Sequence, residues 1–279
     1  MQRYYVRRQD GQIIFNDSYV GPIDFPEIED EVITDLHGLF AGCNIKDGCY
    51  LHDFDTSQVT DMESMFERTI LPKGFTLGAN FNTGNVKTMK RMFSNTRMKE
   101  DFVLGHQFDT SKVVNMELMF CNCELPKGFT LGDKFDTRKV RNMYGMFAGC
   151  VLPEGFVLGD NFDTSECGDM GSMFNCCVMP AGFKLNDKFV TSKVWNMSFM
   201  FTKTAIPRGF KLSPHFSPLS ANVMGMFAGA TFAPDFRLNH EFDISNSPSA
   251  AGIFNGCEYG EGIKTFFDAK AKVAVLREE

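Results

Sequence analysis

The chain has 279 residues, a net charge of −7 and a sequence pI of about 5.3. This acidic balance argues against nonspecific binding to DNA or RNA, which requires a dense basic patch. No apolar run is long enough for a membrane-spanning helix, and the basic residues behind Met1 lack the apolar stretch of a secretory signal.

The N-terminal segment predicts a β-hairpin followed by a helix. Residues 4–6 and 13–15 are strand-like, and Asp10-Gly11 between them is a strong turn signal. Residues 27–40 then predict a first, modified helix. We assign residues 1–35 to an N-terminal cap that contains the hairpin.

An apolar residue followed by phenylalanine recurs nine times, with successive phenylalanines 26 or 27 residues apart. The pairs are Leu39-Phe40, Met65-Phe66, Met92-Phe93, Met119-Phe120, Met146-Phe147, Met173-Phe174, Met200-Phe201, Met226-Phe227 and Ile253-Phe254. A fixed period of this length indicates stacked units, because one such unit cannot bury its apolar side alone. We therefore predict a repeat region over residues 36–257.

Each unit predicts a turn, a short strand and a short helix, as residues 125–150 illustrate. Pro126 and Gly128 favour a turn, and residues 129–131 alternate between apolar and polar as in a strand. Asp136-Thr137 is typical of a helix N-terminus. The residues with the spacing of one helical face are Val140, Met143, Met146 and Phe147. Gly149 suits the left-handed turn after a helix.

Stacked units of this kind predict an α/β fold. The expected architecture is a leucine-rich-repeat-like solenoid of about eight to nine strand-turn-helix units with terminal caps, and a parallel β-helix is the alternative. A parallel sheet would line one wall and short helices the other. Residues 258–279 are predicted to form a C-terminal capping segment, in which residues 266–276 form an amphipathic helix.

One repeat resembles that of a known family. The string Phe-Asp-Thr-Ser-Lys-Val-Val-Asn-Met at 108–116, followed by Met119-Phe120 and Cys123, resembles the repeat of BspA-like bacterial surface proteins, also found in mycoplasma and listerial lipoproteins. Residues 54–66 resemble it equally, and the resemblance covers about residues 36–257. It implies a leucine-rich-repeat-like solenoid that binds other proteins, as adhesins do. The chain departs from the family by an added Leu-Pro-x-Gly-Phe turn and by the lack of an export signal near Met1.

Five of the nine cysteines share one repeat position: Cys43, Cys123, Cys150, Cys177 and Cys257. Other units have threonine or alanine there, so the position favours small buried thiols over disulfides. Free thiols indicate a reducing, cytoplasmic compartment. Surface display or secretion is the alternative that the family resemblance implies.

No sequence pattern indicates catalysis, a metal or a cofactor. The five histidines fall at different repeat positions, and neither Cys121-x-Cys123 nor Cys176-Cys177 has the spacing of a zinc site. A column of aspartates could provide calcium ligands: Asp55, Asp109, Asp136, Asp163 and Asp243. The threonines beside them favour repeated helix caps instead. We predict that the chain is not an enzyme.

The predicted strands leave one outward residue in each unit, and these residues form an outer stripe. Its members are Thr76, Val103, Thr130, Val157, Lys184, Lys211 and Arg237. The stripe changes from neutral to basic toward its C-terminal end. It is either a protein-binding face or a row of tolerated solvent-exposed residues.

Apolar residues also occupy positions that other units fill with polar or small residues, on one side of the predicted helices. This flank consists of Val114, Leu118, Tyr144, Trp195 and Phe199. Trp195 and Phe199 are four residues apart, so they would share one side of a helix. They would either anchor a protein partner or pack against a neighbouring unit.

These features predict non-catalytic protein–protein recognition through the sheet face, the flank or both. The alternative is a structural subunit that self-associates through the apolar flank and forms a homo-oligomer. Nucleic acid is not expected among the partners, and the identity of the protein partner does not follow from the sequence.

Overall fold

The structure is a computed structural model that describes residues 5–7, 10–16, 18–24, 32–51, 54–239 and 242–258. Its strands are β1 (Tyr5–Arg7), β2 (Ile13–Phe15), β3 (Pro22–Ile23), β4 (Tyr50–Leu51), β5 (Ile70–Leu71), β6 (Arg97–Met98), β7 (Ala205–Ile206) and β8 (Thr231–Phe232). β1 and β2 pair antiparallel, which is the hairpin predicted around Asp10-Gly11. The other pairs are parallel: β3 with β4, β5 with β6, and β7 with β8.

The described residues contain no helix, so the predicted α/β solenoid of strand-turn-helix units is wrong. This correction includes residues 32–40 of the first predicted helix, whereas the closing helix at 266–276 lies outside the described residues. The predicted continuous parallel sheet is replaced by two-stranded sheets and single bridges.

Each unit of 26 or 27 residues, here called a coil, stacks on the next through parallel backbone bridges. The first ladder joins Asp35, Asp61, Thr88, Asn115, Asn142, Asp169, Asn196 and Asn222. The second ladder joins Asn44, Ile70, Arg97, Glu124, Val151, Val178, Ala205, Thr231 and Glu258. These ladders place equivalent residues of successive coils beside one another in columns.

The backbone around the apolar-Phe pair explains why helical spacing did not produce a helix. In each coil two positions four residues apart have positive φ, as at Gly145 (60°) and Gly149 (66°). Residues in this left-handed region interrupt a right-handed helix. Alternate amides donate to the next coil instead: the Gly145 N–H to the Gly171 carbonyl oxygen (2.8 Å) and the Phe147 N–H to that of Met173 (2.9 Å).

The spacing between coils also leaves no room for a helix. The rings of the apolar-Phe column, from Phe40 to Phe254, stack with centroids 5.1 to 5.7 Å apart and planes within 9° of parallel. An α-helix with its side chains is about 10–12 Å across. Coils that are only 5.1 to 5.7 Å apart cannot each contain an α-helix on this side, so the segment folds as consecutive turns. We call this side of the stack the Met-Phe wall.

The opposite side carries two further phenylalanine columns, and we call it the Phe-x-Leu side. Its ring centroids lie 5.9 to 6.5 Å apart, as between Phe210 and Phe236 (5.9 Å) and between Phe135 and Phe162 (6.5 Å). The predicted strand at residues 129–131 is absent here. The phenylalanine, leucine and methionine columns of the described coils are nonetheless largely buried, as the sequence predicts.

The hairpin lies against the first coil. The Phe15 N–H donates to the Leu39 carbonyl oxygen (2.8 Å), and the Gln12 Nε2 donates to that of His37 (3.4 Å). The hairpin thus occupies carbonyl groups that a preceding coil would otherwise pair with, as expected of a cap. The domain boundaries at residues 35 and 257 stay predictions.

Candidate functional site

The column that holds five cysteines contributes hydrogen bonds between coils. The Thr96 Oγ1 donates to the Phe66 carbonyl oxygen at 2.5 Å, and the Cys123 Sγ donates to the Phe93 carbonyl oxygen at 2.8 Å. Both groups are buried, as the sequence predicts for this position. The sequence interpretation missed this hydrogen bond, which both side chains donate to the preceding coil and which makes threonine and cysteine interchangeable here; Ala230, at the same position, has no such donor.

The buried thiols are poor nucleophiles. All nine cysteines are free, and burial raises the pKa of the Cys123 and Cys167 thiols to about 12. Burial also raises the pKa of the Cys150 thiol. Since the thiolate is the reactive form, these groups stay protonated and unreactive near neutral pH.

The aspartate column stabilises turns rather than helix ends. The Asp136 Oδ1 accepts the Arg138 N–H at 3.0 Å, and the Thr137 Oγ1 donates to the Asp163 carbonyl oxygen of the next coil at 2.7 Å. The Arg138 guanidinium also hydrogen-bonds the Asp136 carboxylate and thereby lowers the pKa of this carboxyl. Among the described residues, no group of three or more His, Cys, Asp or Glu side chains could hold a metal ion.

A cavity of about 560 Å³ lies between the hairpin loop and the first coil. Asp10, Asp35 and His37 are among the residues that line it. The Asp10 Oδ1 accepts the Gln12 N–H (3.1 Å), and the Asp35 Oδ1 accepts the His37 N–H (2.8 Å). Both carboxylates therefore fix local turns at the cavity edge.

The seven residues of the outer stripe are all exposed, although they do not lie on the predicted sheet. A bridge joins Lys184 to Lys211, and the Leu185 N–H donates to the Lys211 carbonyl oxygen at 3.0 Å. The other stripe residues from Thr76 to Val157 lie outside strands and bridges. The stripe thus follows the more widely spaced Phe-x-Leu side of the stack.

The flank lies on the outside of the Met-Phe wall. The exposed fractions of its residues are 61% for Trp195, 42% for Val114, 37% for Tyr144 and 36% for Phe199, whereas Leu118 is half-buried. Turns position these residues, not the predicted helices. Leu118 and Phe199 occupy the left-handed position of their coils, with φ of 55° and 57°.

Glycines of adjacent coils lie beneath the flank side chains. A Cβ at Gly225 would lie 2.6 Å from the Phe199 ring, and one at Gly168 would lie 2.7 Å from the Trp195 Nε1. A Cβ at Gly171 would likewise lie 3.0 Å from the Tyr144 ring. Small residues at these positions therefore admit the rings.

The rings lean in different directions along the stack. Phe199 and Tyr144 cover glycines of the following coil, whereas Trp195 covers Gly168 of the preceding coil. Tyr144 and Trp195 thus approach the same coil from its two sides. The sequence analysis identified the large side chains but missed their glycine contacts and the neighbouring Met224, which is 36% exposed.

Within the described part of the chain, no helix has the length and apolar character needed to cross a membrane. No curated protein and no solved structure matches the chain significantly. A family model described as "Mycoplasma protein of unknown function, DUF285" matches residues 34–151, 128–211 and 160–266. The finer resemblance to the BspA-like repeat stays a prediction. Because these matches span most of the stacked coils, the chain belongs to this Mycoplasma family of repeat proteins of unknown function.

Proposed function

We propose that the chain is a non-catalytic recognition protein that binds a protein partner through the flank. The observation that carries this proposal is the exposure of Trp195, which is 61% accessible although tryptophan is costly to leave in water. Tryptophan and tyrosine dominate the energetics of protein interfaces. Their occurrence together on one wall supports a binding surface.

The flank is also held in place before any partner arrives. The Trp195 N–H donates to the Gly168 carbonyl oxygen at 2.9 Å, and the Phe199 N–H donates to that of Met224 at 2.9 Å. The backbone of the flank is therefore fixed, and the glycines leave the space that the rings occupy. A surface that is ordered in the free protein loses less entropy on binding, which favours affinity.

The outer stripe is a second part of the proposed binding surface, on the other side of the stack. Val103 and Val157 are 52% and 61% exposed, and three basic residues follow them along the stripe. Exposed apolar residues beside charges are typical of the core and rim of an interface.

Replacing Trp195 and Phe199 together by alanine tests the flank. Affinity capture from the native cells, followed by mass spectrometry, would compare the wild type with the variant. We expect a partner that the wild type enriches to be lost. Val178→Ser is the matched control, because Val178 is 55% exposed but lies on the second ladder. It should retain the partner, and circular dichroism would check that both variants are folded.

Two outcomes would contradict the proposal or change it. Equal recovery of the same partner by the alanine variant would show that the flank is not the site. If the wild type instead captures chiefly itself, and the alanine substitutions lower its mass in solution, the flank serves the alternative role of joining copies in an assembly.

A further inference from the structure

One coil has glycine at two positions of the Met-Phe wall where its neighbours have larger residues. Gly168 is the counterpart of Arg141 in the preceding coil and of Trp195 in the following coil, and backbone hydrogen bonds of 2.9 Å join it to both. Gly171 is likewise the counterpart of Tyr144, 27 residues earlier. The missing side chains leave a depression that Tyr144 and Trp195 border from its two sides. We call this depression the aromatic cleft.

A carboxylate lies between the two glycines of the aromatic cleft. The Asp169 Oδ1 accepts two hydrogen bonds of 2.9 Å, from the Gly171 N–H and from the Asn196 Nδ2. These bonds fix the carboxylate, whereas its Oδ2 has no hydrogen-bond or ion-pair partner among the described residues. Burial raises the pKa of this carboxyl, because its charged form has lost part of its solvation. A positive charge at the Oδ2 would replace that solvation.

No cation of the described coils is paired with this carboxylate. Arg141, in the preceding coil, is exposed and forms no ion pair with Asp169. Lys90 instead lies 3.6 Å from the Glu63 carboxylate and 3.8 Å from that of Glu117. Repulsion by Glu117 also contributes to the raised pKa of Asp169. The negative charge in the cleft is therefore left for a cation from outside the described coils.

The two rings leave their faces open to such a cation. Trp195 meets Gly168 through the edge that carries Nε1, and Tyr144 meets Gly171 through its Cδ2 edge. Neither ring stacks on another aromatic ring or on a cation among the described residues. A cation is attracted to an aromatic face when it lies within about 6 Å of the ring centre. A cation held over Asp169 would be one coil from either ring-bearing coil, and the coil spacing here is 5.6 to 5.7 Å.

We propose that the aromatic cleft binds the charged end of a lysine or arginine side chain of the protein partner. The Asp169 carboxylate pairs with the cation, and the Tyr144 and Trp195 rings contact it from the two sides. This inference rests on the proposed recognition through the flank and specifies the chemistry of the partner, which presents a basic residue in an exposed segment. An acidic segment would be repelled by Asp169.

Trp195 is the only tryptophan of the chain, so its fluorescence reports on the cleft before any partner is identified. The probes are the acetylated and amidated tripeptides Gly-Arg-Gly and Gly-Lys-Gly, and the neutral analogue Gly-citrulline-Gly is the matched control. We expect a saturable change in fluorescence with one or both cationic peptides, at about millimolar concentration, as for a few weak contacts. The citrulline peptide should give no saturable change.

Asp169→Asn removes the negative charge and retains the local turn. Asparagine is compatible with this ladder position, because the Asn142 Oδ1 accepts the Tyr144 N–H at 2.9 Å in the preceding coil. The variant keeps both rings and the fluorescence signal. We expect it to weaken binding of the cationic peptides about tenfold, as for the loss of a hydrogen bond to a charged group.

Asp61→Asn is the matched control, because it makes the same change of net charge on the same ladder. The Asp61 Oδ1 accepts the Glu63 N–H at 2.8 Å, and the residue of the next coil that corresponds to Trp195 is Lys87. This variant should bind the peptides as the wild type does. Circular dichroism would check that both variants are folded.

Binding of a cationic peptide that Asp169→Asn weakens and Asp61→Asn does not would support the proposal. No saturable response to either cationic peptide would overturn it. So would an equal response to the citrulline peptide, or an Asp169→Asn variant that binds the cationic peptides as tightly as the wild type.

Affinity capture separates a failure of the cleft from a failure of the proposed function. A partner that is lost with Trp195→Ala and Phe199→Ala but retained by Asp169→Asn would remove the cleft and leave the flank as the binding surface. A partner that both variants retain would remove the flank, and with it the role of the cleft in recognition.

Discussion

The two sides of the stack use the same residue types at different distances. On the Met-Phe wall, rings of adjacent coils are 5.1 to 5.7 Å apart, whereas on the Phe-x-Leu side they are 5.9 to 6.5 Å apart. A Cβ at Gly225 on the wall would meet a ring, whereas one at Gly128 or Gly155 on the other side would meet nothing within 4 Å. The rings of the wall are therefore packed more closely than those of the Phe-x-Leu side, although a Cβ at Gly78 on that side would lie 2.6 Å from the Leu51 carbonyl oxygen.

The largest expected effect comes from removing a ring of the Met-Phe wall. Phe147 is fully buried between Phe120 and Phe174, with both centroids 5.7 Å away. Phe147→Ala should lower the free energy of unfolding by about 3–5 kcal/mol, the usual cost of a phenylalanine cavity. Phe162→Ala, on the Phe-x-Leu side, should cost less because its stacked neighbours are 6.3 and 6.5 Å away. Denaturant unfolding would measure both, and a larger loss at Phe162 would reverse the comparison.

Adding a methyl group to glycines of the two sides should give the next largest difference. Gly225→Ala places a Cβ 2.6 Å from the Phe199 ring, at a φ of 59° that already disfavours alanine. We expect a loss of about 2–3 kcal/mol. Gly128→Ala has a φ of 78° but open space, so strain alone should cost about 1 kcal/mol. Thermal or denaturant unfolding would measure both losses. Equal losses of stability would show that the Phe199 ring moves aside for the added methyl group.

Alkaline pH should weaken the Met-Phe wall through its buried thiols. Burial raises the pKa of Cys123 to about 12, so the folded state keeps a proton that the unfolded thiol loses near pH 9. This contribution to stability is complete below pH 9 and falls as the pH rises toward 12, with about 1 kcal/mol lost by pH 10. Cys123→Thr retains the donor to the Phe93 carbonyl oxygen and should be nearly neutral at pH 7.

The difference between wild type and Cys123→Thr isolates this thiol from the other buried cysteines. Denaturation midpoints at pH 7, 9 and 10 should fall more steeply for the wild type. Parallel slopes would mean that the thiol does not contribute, and a large loss for the threonine variant at pH 7 would mean that the two donors are not equivalent.

The smallest effect on stability is expected for Trp195, an exposed residue of the flank. Trp195 is 61% exposed, so Trp195→Ala should change the free energy of unfolding by about 1 kcal/mol or less. A thermal melt would measure this change. A larger loss would indicate that the indole's packing over Gly168 supports the fold. In that case the indole ring would have a structural role in the stack and would not be available to bind a partner.

The repeat, its period and its buried columns were predictable from the sequence, but the helix predicted for each unit is wrong. Val140, Met143, Met146 and Phe147 all point inward with helical spacing. The contrary signal is Gly145 and Gly149, which flank the Met-Phe pair four residues apart. Glycine disfavours helices by about 1 kcal/mol and tolerates positive φ. Read together, these glycines indicate turns at both positions.

The flank was predictable only in part. Large side chains at positions that are otherwise polar or small identified Trp195 and Phe199, and both are exposed. Their contacts with Gly168 and Gly225 depend on the rotamer that each ring adopts and on which coil it covers. Sequence spacing specifies neither. The shared hydrogen bond of the cysteine and threonine column was hidden for a similar reason, because its acceptor belongs to the preceding coil.

The first ladder continues unbroken through coils of different length. Asp61 and Thr88 are 27 residues apart, whereas Asn196 and Asn222 are 26 apart, and both pairs are bridged. The one-residue difference in coil length therefore lies in a part of the coil that does not form the ladder. A gain or loss of one whole coil would keep the backbone ladders and the buried apolar columns continuous. Only contacts specific to one pair of coils, such as that of the Phe199 ring with Gly225, would have to be rebuilt.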